Sequence, residues 1–172
     1  MEPITANANR MMVYNIPRDW IHRLCDHYGT IDIGVIEVGF DVLIDVLGPE
    51  KALYCCQTES QHDKIWRRYA VWCARQMQHL MGDERSVRAI DVAERHANGE
   101  ATDCELEVAM TDAREAAWDE SLSPAPVAAM YAARGKASDA ALQMILTAPN
   151  KEIKDARIAA FRQLVTTGTL PN

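Results

Sequence analysis

The sequence predicts an all-α protein, a compact array of about eight short helices packed as antiparallel helical hairpins. Three observations carry this expectation. Apolar residues recur at three- and four-residue spacing along most of the chain. The breaks between these runs are short and hold Gly, Pro or helix-capping residues. Two segments offset by 36 residues repeat one helix–turn–helix pattern.

The elements follow in order. Residues 1–14 show no helical spacing and are expected as an irregular arm. Pro17-Arg18-Asp19 opens a helix whose Trp20, Leu24 and Tyr28 share a face, and Gly29 ends it. Residues 32–47 are rich in β-branched side chains, yet Ile33, Ile36, Phe40, Leu43 and Leu47 keep helical spacing, so a helix is expected there. Gly48-Pro49 breaks it, and Pro49 starts a short helix through Cys56. After a polar turn at 58–63, the clearest helix is expected over 62–81, with Trp66, Tyr69, Cys73, Met77 and Leu80 inward. Asp83 is placed to cap a helix over 84–98 that stops at Gly99. Thr102-Asp-Cys-Glu105 is a capping box for a helix over 103–120, with Leu106, Met110, Ala113 and Ala117 inward. Ser123-Pro-Ala-Pro126 reads as a break before a helix over 126–134. Ser138 is expected to cap a helix over 139–147. A last helix over 151–167 turns Ile153, Ala156, Ala160, Phe161 and Leu164 inward.

The 36-residue offset pairs Ala93 with Ala129, Ala97 with Ala133, Gly99 with Gly135, Thr102 with Ser138, Asp103 with Asp139 and Leu106 with Leu142. Each copy reads as a small-residue helix, a Gly stop and a hydroxyl cap. Two copies are fewer than the roughly three of a solenoid. The expected organisation is therefore one helical domain over 15–172, with a further division into 15–60 and 61–172.

With 18 Lys+Arg against 25 Asp+Glu the formal charge is −7, which weakens the case for nucleic acid, whose affinity comes largely from a basic face. The first residues lack a basic, then apolar, leader, and no run approaches ~18 apolar residues, so neither export nor a membrane span is expected. Cys25, Cys55, Cys56, Cys73 and Cys104 fit no disulfide framework. Reduced thiols in the cytoplasm are expected.

Catalytic signals are sparse. His-Glu-x-x-His, Cys-x-x-Cys, Walker A, Gly-x-Gly-x-x-Gly and Gly-x-Ser-x-Gly are all absent from the sequence. His22 and Cys25 share a helical face but lack a third ligand, and His62-Asp63 is only a dipeptide. No catalytic residue, metal or cofactor is therefore expected. The candidate binding residues are two acidic stripes, Glu37, Asp41 and Asp45, and Asp112, Glu115 and Asp119, together with Arg67 and Arg68 from the basic set Lys64, Arg67, Arg68 and Arg75. Solvated faces are the plain reading of all three.

Ala70-Val-Trp-Cys-Ala-Arg75, Gly82-Asp-Glu-Arg85, Arg88-Ala-Ile-Asp-Val-Ala-Glu-Arg95, Ala97-Asn-Gly-Glu-Ala-Thr102 and Glu105-Leu106 resemble a helical module of small phage and bacterial proteins. That module is similar to the immunity-protein family of polymorphic toxin systems. The likeness spans about a third of the chain, near residues 70–120. Residues 1–60 lie outside it, and the prolines at 124 and 126 depart from it. The resemblance implies an all-helical, intracellular, non-catalytic protein that binds and neutralises or modulates a toxin or host defence protein. Two alternatives stand beside it: a metal-dependent helical enzyme built from scattered His and carboxylates, and a nucleic-acid-binding regulator using helix 62–81. Self-association is a further expectation for such Ala-rich helices.

Overall fold

The computed structural model describes residues 3–30 and 36–171. Among these residues lie ten α-helices and one two-stranded sheet. The all-α expectation holds, with more and shorter helices than the spacing suggested. The chain divides into two compact units, one of residues 1–60 with 158–172, the other of residues 61–157.

The first unit begins with strand β1 (Thr5–Asn7), where an irregular arm was expected. Asn7 then caps helix α1 (Ala8–Val13), its side chain accepting from the amides of Asn9 and Arg10. Helix α2 spans Arg18–Tyr28 and ends at Gly29, whose φ of 63° is left-handed. The expected helix over 32–47 is corrected. Residues 32–35 lie outside the described residues, Glu37–Gly39 form strand β2, and helix α3 covers only Phe40–Leu47. β2 pairs antiparallel with β1, Ala6 opposite Val38, and both of those side chains are fully buried. Backbone pairing to a distant strand outweighs the helical spacing of Ile36 and Phe40. Helix α4 (Pro49–Cys55) follows. The core gathers Met11, Leu24, Phe40, Leu43, Leu53 and, from the chain's end, Phe161. The Phe40 and Phe161 rings meet edge to face at 6.1 Å. Glu59 is fully buried there, yet Arg10 grips its carboxylate through Nε (3.0 Å) and Nη2 (2.6 Å), and the Asn7 amide donates to it as well.

The second unit holds helices α5 (Asp63–Arg75), α6 (Glu84–Asn98), α7 (Asp103–Asp119), α8 (Pro124–Ala132) and α9 (Ala137–Leu146). Helix α10 (Lys151–Thr167) crosses the division, its residues 151–157 counting with this unit and 158–167 with the first. α5 packs against α6, α8 and α9, and α7 against α6 and α8. The facing surfaces are largely alanine, which brings helix axes close. A buried methyl contributes only about 0.8 kcal/mol, against ~1.5–3 kcal/mol for a large side chain. Trp66, Tyr69, Ile90 and Met144, all fully buried, therefore supply much of this core's stability.

Several expected boundaries move here. α8 starts at Pro124, because the first amides of a helix have no acceptor and prolines at N1 and N3 cost little. The helix expected over 62–81 stops at Arg75, followed by a 3-10 turn at 78–80 that leaves Leu80 exposed. Arg157 sits against this helix end. Its Nη2 takes the Cys73 carbonyl at 3.4 Å, while the Met77 amide shifts to Ala74. Arg157 itself, 1% exposed, occupies the inward position that Ala156 was expected to fill, and Ala156 is exposed. Of the five cysteines, Cys55, Cys56 and Cys73 are buried, Cys25 is half-buried and Cys104 is exposed. Burial pushes the Cys55 and Cys73 thiols up to about 12.

The two copies of the repeat differ at their turns. Gly99 adopts φ 80° and Thr102 forms the full capping box with Glu105. In the second copy α8 ends at Ala132, Gly135 has no left-handed φ, and the N-cap of α9 is Lys136. Ser138 does not cap; it lies inside α9, buried.

Candidate protein-binding surface

The sequence-derived candidates scatter. Glu37 sits on β2 rather than on the helix of Asp41 and Asp45, accepting from the side chains of Asn7 (2.8 Å) and Thr5 (3.0 Å). The Asn7 hydrogen bond leads in holding its carboxyl below the usual range. Asp45 binds Arg162 at 2.7 Å, which likewise lowers it, and Asp41 lies half-buried in the first turn of α3. No single acidic stripe forms. On α7, Glu115 and Asp119 both face Arg85 of α6, the former at 3.7 Å. Asp112 is half-buried beside Arg88 in the α6–α7 groove. Glu37, Asp45, Glu115 and Asp119 are thus engaged within the molecule.

Arg67 is corrected more sharply, being 2% exposed. Its Nη1 donates to the carbonyls of Ala132 (3.0 Å) and Arg134 (2.6 Å), and its Nη2 to that of Gly135 (2.7 Å). The guanidinium thus caps the C-terminal end of α8, where the helix dipole is negative and the last turn holds no basic residue. Arg157 plays the same part for α9 through the Met144 carbonyl. Arg75 pairs with Asp91 and Glu94. Arg68 and Lys64 alone of the expected basic set remain exposed without an ion pair among the described residues.

A different surface emerges on the other edge of α7. Met110, Arg114 and Trp118 stand four residues apart and so line one edge of the helix. Across from the first two, α8 and the residues just after it bring Met130, Tyr131 and Arg134, and these five enclose a groove of about 350 Å³. The Arg134 guanidinium lies 5.8 Å from the Tyr131 ring centre, and its Nε is 3.6 Å from Asp139. Arg114 is exposed and has no carboxylate partner among the described residues. Trp118 is 66% exposed.

The corner beyond Trp118 is unusually built. Ser121 and Leu122 both take left-handed conformations, at φ 57° and 55°, which costs roughly 1–2 kcal/mol per residue without glycine. The Leu122 amide donates to the Ala117 carbonyl at 2.6 Å, and the Glu120 carboxylate accepts from the Asp83 amide at 3.0 Å. These bonds fix the corner with Leu122 exposed. Met, Trp, Tyr and Arg are the residue types enriched at protein interfaces. The sequence carried one signal for this surface, the Met110–Arg114–Trp118 spacing. Helical spacing alone puts Met110 in the core; in the structure it is half-buried at the groove.

Among the described residues, no three His, Cys, Asp or Glu side chains are placed to hold a metal ion, and no helix is long and apolar enough to cross a membrane. Comparison with family models, curated proteins and solved structures returns no match.

Proposed function

We propose that this chain is a non-catalytic binding protein that neutralises or modulates another protein through the α7–α8 groove. The observation that carries this reading is the groove itself, apolar and aromatic at Met110, Met130 and Tyr131 and flanked by two guanidiniums. On a chain of net charge −7, a local pair of arginines selects a partner segment with carboxylates beside apolar side chains. Trp118 at the end of the stripe adds a large, low-entropy contact. The resemblance of residues 70–120 to immunity proteins of toxin systems gives the biological setting, a phage or prophage accessory protein acting on a toxin or a defence component.

The test is co-purification of the tagged chain from its host alongside two variants. A stoichiometric partner should stay with the wild type and with Lys151→Glu, which lies outside the groove. Retention should fall roughly tenfold or more with Arg114→Glu combined with Trp118→Ala, as loss of hot-spot contacts requires. A partner held equally by both variants would refute the groove. The absence of any stoichiometric partner would refute the binding function.

A further inference from the structure

A second concavity, in the first unit, has a different chemistry. It encloses about 560 Å³ between the end of α1 and the start of α2, a volume in the range of small-molecule sites. Its lining is apolar at Met12, Ile16, Pro17 and Ile21 and polar at Asn15, Arg18 and His22. Ile16 and Ile21 are buried beneath it, whereas Met12 is 48% exposed at its rim. Asn15 is held in a left-handed conformation, φ 54°, by hydrogen bonds from its own amide to the Met12 carbonyl and from the Ile16 amide to the Met11 carbonyl. This is the ordinary close of a helix with Asn in place of glycine, and it fixes the Asn15 backbone beside the concavity.

The cations of this unit are otherwise spent. Arg10 binds Glu59, Arg162 binds Asp45 and Arg23 donates to the Val46 carbonyl. Lys51 rests over the Trp20 ring. Arg18 is the arginine of the unit with no partner among the described residues, and His22, one helical turn on, has none either. Asp19 and Asp26, on the same helix, do not line the concavity.

We infer that this concavity binds a small organic anion, its carboxylate or phosphoryl group held by Arg18, His22 and Asn15 and its apolar body laid against Met12, Ile16 and Ile21. The planar guanidinium supplies paired donors for such a group, and Asn15 and His22 add further donors. This site is independent of the groove on α7 and α8, so either can fail without the other.

Calorimetric titration of the full chain with hexanoate, hexyl phosphate and hexan-1-ol tests it. One or both anions should bind one to one, roughly tenfold or more tighter than the alcohol, as charge-assisted hydrogen bonds require. Which anion binds distinguishes a carboxylate ligand from a phosphoryl one. Arg18→Gln with His22→Gln, both exposed positions, should remove that preference while leaving the circular dichroism spectrum unchanged. No binding of either anion at about 10 mM, equal binding of the alcohol, or full binding by the double variant would each overturn the inference.

Discussion

In residues 93–106 the turn closes with its own side chains: Gly99 takes the left-handed position, and Thr102 and Glu105 exchange hydrogen bonds with each other's backbone. In residues 129–142, written with nearly the same pattern, a guanidinium from α5 closes the turn. Once Arg67 satisfies the carbonyls of Ala132, Arg134 and Gly135, the second turn has no need of a left-handed glycine or a hydroxyl cap. Ala141 stands where the first copy has Glu105, so the reciprocal half of a capping box is missing there. A shared pattern fixes a turn only where nothing distant competes for its backbone groups.

The largest way to break the comparison is Arg67→Ala. It removes the donors of three carbonyls at the end of α8, that of Ala132 buried, and should cost about 2 kcal/mol or more in urea unfolding of the full chain. A loss under ~1 kcal/mol would mean that the turn holds itself. Next come the glycines. Gly99→Ala should cost roughly 1–2 kcal/mol from backbone strain alone, since its added methyl would meet only Lys64 Nζ at an ordinary 3.9 Å. Gly135→Ala, in open space and without a positive φ, should stay within about 0.5 kcal/mol. Equal effects in the same assay would erase the distinction.

The smallest effects concern the caps. Thr102→Ala should cost about 1 kcal/mol and Ser138→Ala less than half of that. The Thr102 backbone hydrogen bond, then the Thr102 hydroxyl and Arg95, hold the Glu105 carboxyl below its ordinary value. A depressed folded-state pKa stabilises above the unfolded value, near 4.3, and the contribution disappears as pH falls through the lower folded value. The stability gap between wild type and Glu105→Gln should therefore close on acidification. A gap that stays constant down to about pH 2 would contradict this assignment.

Much of the second unit was legible because its signals are local. Asp83, the Gly99 stop and the Thr102 capping box mark both ends of α6 and the start of α7 to the residue. The β1–β2 pair was not, since three-residue strands joined across thirty positions leave no periodicity to read. The buried arginines were hidden for a similar reason: the carbonyls that hold them lie far along the chain or at helix ends displaced from where the spacing puts them. Arg157 left one trace, falling between Ile153 and Phe161 on an otherwise apolar edge. The α7–α8 groove needed both the Met110–Arg114–Trp118 spacing and the knowledge of which helix lies alongside it. Only the first is written locally.

The distribution of the cysteines gives the protein a chemical address. Alkylating reagents attack thiolates, and burial withholds that form from Cys55 and Cys73. Cys104 stands exposed at the start of α7, where it lines the groove against α6 and not that of Met110 and Arg114. A dye or spin label carried there would sit on the same rigid rod as the groove without covering it, and would report what arrives.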